Sequence, residues 1–156
     1  SAVICAKAGA NVTLVGRSLE KAEKIAGICN DRYDSKNVKG GADADKSDFF
    51  NVADIVLNTG AAGIQLMSEE HIKNSNTLKI CADTNAVPPS GIAGVDVMDN
   101  GKVIDMSPSK CLGIGALAIG NIKYKSQHEC LKLMYTSEKP VYLDFEDAFK
   151  FAQKSV

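Results

Sequence analysis

No uninterrupted apolar stretch in this chain approaches the roughly 20 residues that a membrane-crossing helix requires, and no basic segment leads into an apolar run with a small-residue cleavage site. The expectation is a soluble, unprocessed cytoplasmic protein with no membrane partner. Charge of one sign is lacking as well. Eighteen Lys and Arg stand against 19 Asp and Glu, a net charge of -1, so there is no broad basic field to hold the phosphates of nucleic acid, and nucleic acid is not an expected partner. Metal-ligating residues are sparse. His71 and His128 are the only histidines, and neither lies at ligand spacing from the other or from a cysteine. The five cysteines, Cys5, Cys29, Cys81, Cys111 and Cys130, include no Cys-x-x-Cys pair. Reduced thiols and no metal site are expected. Internal repeats and low-complexity linkers are missing too, and 156 residues, 45% of them hydrophobic, read as one domain with a core of its own.

The residues that are there alternate between helix and strand patterns. Ser1 to Ala8 reads as the back of a helix stopped at Gly9, and Val12 to Val15 as a short β-branched strand. Leu19, Ala22, Ile25, Ala26 and Cys29 recur at spacings of three and four behind Ser18, an N-cap, which predicts a helix over 19–32. Residues 37–45 form a short polar piece, and 48–52 a brief helical turn. Ile55 to Leu57 is a buried strand, Ser68 to Asn74 a helix, and Leu78 to Ala82 another strand, ending at Asp83. Residues 83–99, rich in Pro, Gly and Asp, read as loop, and Lys102 to Asp105 as a further strand behind a turn through Asp99, Asn100 and Gly101. A helical pattern runs from Leu112 to Tyr135, interrupted by Gly113, Gly115 and Gly120, and a last helix covers 144–154. The alternation predicts the α/β class: a Rossmann-like, doubly wound parallel sheet whose first strand and phosphate loop lie outside the chain.

Three places in this order can carry chemistry. Gly16-Arg17-Ser18 follows the first strand and opens a helix, the position that reads the adenosine ribose in a dinucleotide-binding fold. A guanidinium there forks onto a 2'-phosphate, where a carboxylate would accept from a 2'-hydroxyl, so Arg17 favours NADP, with NAD as the alternative. A solvated arginine in an ordinary strand-to-helix turn is the competing reading. Thr59-Gly60-Ala61-Ala62-Gly63 closes the next strand with small residues that admit a flat cofactor or simply make a tight turn. Asp83-Thr84-Asn85-Ala86-Val87-Pro88-Pro89 sits at a strand end, where ligands bind in such folds. The run from Gly113 to Gly120 has glycines at phosphate-loop spacing but follows no strong strand; it reads instead as a helix that packs closely on a sheet or a ligand. Lys123 and Lys125 lie farther along it. Two exposed lysines are the ordinary reading, and a catalytic lysine is the sharper one.

Several of these segments, in register, resemble one family. Val12-Thr13-Leu14-Val15-Gly16-Arg17-Ser18-Leu19-Glu20-Lys21-Ala22, Thr59-Gly60-Ala61-Ala62-Gly63-Ile64, the segment from Ala82 through Asn85, Pro88 and Pro89 to Asp96, and Gly113 through Lys123 to Lys125 are similar to the NADP-binding domain of the methylene-tetrahydromethanopterin dehydrogenases, pterin-linked C1 dehydrogenases of methylotrophic bacteria, some of them bifunctional with methylene-tetrahydrofolate. The resemblance implies hydride transfer between the methylene group of a reduced C1 pterin and NADP. It also implies that Gly16, Arg17 and Ser18 take the 2'-phosphate and that Thr59, Gly60 and Ala61 flank the nicotinamide ribose. Asn85 and the Pro88-Pro89 loop would border the ring, and Lys123 would face the pterin as the catalytic lysine.

The family's Gly-x-Gly-Pro-Val-Gly loop and the substrate domain before it have no counterpart in the sequence. The expectation over 1–156 is therefore a partial NAD(P)-binding domain with C-terminal helices, inactive alone. Its strand Val12 to Val15 would lie at an uncovered sheet edge and promote homo-oligomers. A shikimate or methylene-tetrahydrofolate dehydrogenase-like oxidoreductase, or a non-catalytic nucleotide-binding module, shares this architecture and stands as the alternative.

Overall fold

The computed structural model describes residues Ser1–Ser155 as alternating helices and strands that form two compact units, Ser1–Phe50 and the residues from Asn51 onward. In the first unit α1 (Ala2–Lys7) leads to β1 (Val12–Gly16), α2 (Leu19–Tyr33) and β2 (Val38–Ala42). β1 and β2 pair in parallel, with Val12 opposite Val38 and Gly16 opposite Ala42. The end of α1 confirms the stop read at Gly9: the Gly9 N–H donates to the Ala6 carbonyl and the Ala10 N–H to the Cys5 carbonyl, the paired bonds that satisfy the last carbonyls of a helix. Ser18 caps α2, its Oγ accepting the Lys21 N–H at 3.4 Å. The small core of this unit is Ala6, Ala26 and Val38, with Ala2, Val12, Leu14 and Cys29 packed against it.

β2 lies in the stretch that the sequence leaves as a short polar piece. Its sequence, Val-Lys-Gly-Gly-Ala, offers no alternation of apolar and polar side chains. Backbone contact defines it instead. Asn30 on α2 both donates to the Val38 carbonyl, at 2.8 Å, and accepts the Val38 N–H, at 3.3 Å. A Cβ on Gly40 would sit 2.7 Å from Glu23 Cα and 2.8 Å from the Ala22 carbonyl carbon, so α2 rests directly on the strand.

A single 3-10 turn (Asp43–Asp45) and α3 (Lys46–Val52) follow. The second unit contains β3 (Ile55–Asn58), α4 (Glu69–Asn74), β4 (Ile80–Asp83), β5 (Asn100–Val103), β6 (Leu112–Ile114), α5 (Ala116–Thr136) and α6 (Phe145–Gln153). Its sheet has the order β3-β4-β6-β5; β3, β4 and β6 are parallel, and β5 joins antiparallel to β6. Parallel strands linked through helices place the chain in the α/β class with Rossmann-like order. The core of the unit is made by Met67, Ile72, Leu78, Cys81, Ile92 and Cys111, all fully buried. The Cys81 and Cys111 sulfurs lie 3.9 Å apart as free thiols, and burial together with the neighbouring sulfur pushes the Cys81 thiol up, which keeps it protonated.

Two local readings change. Asn100-Gly101 is no turn ahead of a strand but part of β5: Asn100 faces Ile114, Lys102 faces Gly113, and Gly101, at φ +81°, is the extra residue of a bulge. The helical pattern read from Leu112 begins with strand β6, and the helix starts after Gly115, its N-cap. Three residues are too few for the period of two to show against the helical run that follows. Gly120 does not mediate close packing, since a Cβ there would meet nothing within 4 Å.

Gly40→Ala should lower stability by about 1–3 kcal/mol, because the added methyl must push the α2 backbone off β2. Gly27→Ala, inside α2 with nothing within 4 Å of the added carbon, should instead stabilise by about 0.5–1 kcal/mol. Denaturant midpoints of the two variants beside the unaltered protein check both signs.

Candidate functional site

In the first unit, β1 ends at Gly16 and α2 begins after Ser18, so Arg17 occupies the turn between them. Arg17 is exposed and has no hydrogen bond or ion pair among the described residues. An open groove of about 510 Å³ lies beside it, lined by Leu14, Val15, Gly16, Arg17, Ser18, Lys21, Ala22 and Ile25. Its charged lining is wholly cationic, Arg17 and Lys21, and the rest is mainly apolar. The Ser18 hydroxyl accepts from Lys21 N–H and keeps its own proton free to donate outward. An unpaired guanidinium and ammonium over an apolar floor suit an anionic group carried on a flat apolar ring.

In the second unit, the loops after β3 and β4 are tied into one network by two buried side chains at facing strand ends, Asn58 and Asp83. Asp83 is 1% exposed. One of its oxygens accepts from Asn58 Nδ2 at 2.8 Å and from the Asn85 N–H at 2.9 Å, and the other accepts the Ile92 N–H at 2.9 Å. Asn58 Oδ1 then accepts the Gly60 N–H at 3.0 Å, while the Asn58 carbonyl accepts both the N–H and the hydroxyl of Thr84. Gly91 must be glycine for this arrangement, because a Cβ there would collide with the Asn58 amide and lie 2.9 Å from Asp83 Oδ1.

Asn85 shapes the loop around it. Its Oδ1 accepts the N–H groups of Gly63 and Val87, at 3.3 and 3.0 Å, and its Nδ2 donates to the Pro89 carbonyl at 2.8 Å, which leaves one amide proton for an outside partner. The Gly63 bond brings the 59–63 and 83–89 loops together. Thr59, Gly60, Ala61 and Pro88 are exposed on them. Asn58 and Asp83 are the residues that a search for ligand contacts misses, since they face inward. Their signal in the sequence is a carboxamide and a carboxylate, each closing an apolar strand. Lys123 is exposed on α5 and takes no part in this network.

Asp83→Ala strands the Asn58 amide and two backbone N–H groups in a buried place and should cost about 2–4 kcal/mol. Faster hydrogen exchange should appear first at the Asn85 and Ile92 amides. Unchanged exchange at both would show that the carboxylate does not hold the loops.

No family model matches the chain. Two proteins of Methylorubrum extorquens are similar to it. An NAD(P)-dependent methylenetetrahydromethanopterin dehydrogenase is 38% identical over 155 residues, 97% of this chain and 52% of that protein. A protein described as bifunctional protein MdtA is 34% identical over 149 residues, 94% of this chain and 50% of its own length. The chain thus spans about half the length of the curated relatives it matches. The aligned residues take in the Arg17 turn, the Asn58–Asp83 loops and α5 alike, and along that span the chain is similar to the methylenetetrahydromethanopterin dehydrogenase.

Proposed function

We propose that this chain is the nucleotide-binding part of an NADP-dependent dehydrogenase acting on a reduced C1 pterin, which interconverts the methylene and methenyl forms of tetrahydromethanopterin or tetrahydrofolate. The observation that carries the reading is the groove beside Arg17, whose charged lining is cationic and whose guanidinium has no protein partner. The name of the first relative favours a C1 pterin over the shikimate-type substrate and supports a nicotinamide dinucleotide, NAD or NADP, as the cofactor; the preference for NADP is our reading of Arg17.

In this reading Gly16, Arg17 and Ser18 in the first unit hold the 2'-phosphate, Gly16 by leaving the approach to the groove open. In the second unit Thr59, Gly60 and Ala61 flank the nicotinamide ribose, and Asn85 with Pro88 borders the ring. The nicotinamide supplies the hydride chemistry when bound, so the protein's work is to orient it and keep water away. The Asn58–Asp83 network serves that end by making the two loops stiff. Lys123 faces the pterin, where its ammonium orients the substrate. Both units belong to one nucleotide-binding domain.

No helix among the described residues is long and apolar enough to cross a membrane, and we place the protein in the cytoplasm. We also propose a homo-oligomer, because Val15 on β1 and Leu117, Tyr124 and Leu131 on α5 are exposed apolar side chains.

Arg17→Ala in the whole protein should weaken NADP binding about tenfold to a hundredfold, the worth of a charge-assisted hydrogen bond, and leave NAD within about twofold. Calorimetric titration reads both affinities. If the unaltered protein does not prefer NADP, Arg17 is a solvated surface residue and the NADP assignment fails.

A further inference from the structure

α5 and α6 pack against each other in the second unit and leave between them an open groove of about 440 Å³, a size in the range of small-molecule sites. Its place on α5 separates it from the residues assigned above. Tyr124, Lys125, His128 and Glu129 line it. At 3.6 residues per turn these four lie about 100–240° round the helix from Lys123, on the side away from the lysine given to the pterin.

The lining combines aromatic walls with unpaired cations. Tyr124 and His128 are one turn apart on α5, with ring centroids 6.5 Å apart and planes within 25° of parallel, so they present one aromatic surface. Phe151 supplies another from α6. The ammonium groups of Lys125 and Lys154 have no hydrogen bond or ion pair among the described residues, and that of Lys154 lies over the Phe151 ring, 5.9 Å from its centroid. The one carboxylate of the lining, Glu129, is 3.5 Å from His128 Nδ1 and so is turned to its neighbour on α5. The two helices bury little of their own: no residue of α6 is buried, and Ser126 is the one buried residue of α5. A molecule held by both helices adds contact that their own packing does not supply, and by binding only the packed pair it stabilises that pair.

We infer that this groove is a binding site for a small planar anion, an aromatic ring that bears a carboxylate or a phosphate. The ring lies against Tyr124, His128 and Phe151, and the anionic group sits between Lys125 and Lys154. Stacking reads the ring and the two ammonium groups read the charge, so neither half of the ligand suffices alone. Because the lysines are exposed, their contribution is screened and must fall as salt rises. The inference does not rest on the dehydrogenase reading.

The test is calorimetric titration of the whole protein with salicylate, adenosine 5'-monophosphate and inorganic phosphate, in saturating NADP so that the groove beside Arg17 is filled. Unaltered protein is compared with Tyr124→Ala, Lys125→Met and Lys125→Arg; both side chains are exposed, so the substitutions should leave the fold intact. The expected result is a dissociation constant of about 0.1–1 mM for at least one of the two ring-bearing anions. Binding of that anion should be about tenfold weaker in Tyr124→Ala and in Lys125→Met and should recover in Lys125→Arg, and inorganic phosphate should bind about tenfold more weakly than the ring-bearing anion. Occupancy should also shift the ring proton resonances of Tyr124 and His128 and slow hydrogen exchange in α6. Absence of binding by either ring-bearing anion at about 10 mM overturns the inference. So does binding that Tyr124→Ala and Lys125→Met leave unchanged, because the anion then sits elsewhere. Phosphate binding as tightly as the ring-bearing anion overturns it too, since the aromatic walls would then take no part. If the unaltered protein takes up no NADP, the dehydrogenase reading fails, while the same titrations still decide this site.

Discussion

The loops of the second unit depend on one buried carboxylate. Asp83 accepts three hydrogen bonds, from Asn58, Asn85 and Ile92, and through them fixes the ends of two neighbouring strands and the return of the 84–91 loop. A buried charge is tolerated only when its oxygens are supplied with donors. Here the donors come from both loops, so placing the carboxylate also places the loops. Gly91 is part of the same constraint, for only a residue without a side chain lets the returning loop pass this close to Asn58 and Asp83.

The two sites differ in kind. The loops of the second unit use their polar groups on one another: Asn58, Asp83 and Thr84 are all engaged internally, and Asn85 retains a single proton. The groove of the first unit keeps its charged groups unpaired. A rigid, nearly self-satisfied surface positions a reacting ring without competing for it, whereas an unsatisfied cationic surface provides binding energy and selectivity for a phosphate that does not react.

Close backbone contact recurs as the means by which this short chain builds its elements. Gly40 lets α2 lie on β2, and Gly91 lets the returning loop lie on the Asn58–Asp83 pair. Few large side chains are available for the first unit's core, which rests on Ala6, Ala26 and Val38. With so little side-chain volume, the elements come together through small residues and through the two Asn30 bonds to Val38.

The sequence by itself determined the α/β order, the cap at Ser18, the stop at Gly9 and the Arg17 turn, because each rests on local chemistry: periodic apolar residues, a hydroxyl before a helix, a glycine after one. The resemblance to the methylene-tetrahydromethanopterin dehydrogenases was legible in the Gly-Arg-Ser turn and the Asp-Thr-Asn-Ala-Val-Pro-Pro loop. Tertiary structure decided what depends on partners distant in the chain. β2 exists because Gly40 and Gly41 pair with β1 and Gly40 meets α2, and glycines carry no side-chain period. Gly101 became a bulge, and Leu112–Ile114 a strand, through pairing across a loop. Asp83 and Asn58 acquired their parts only when residues 25 apart came to face each other across a strand pair. No local pattern records such a meeting, because hydrogen bonds and charge clusters of this kind are made in space.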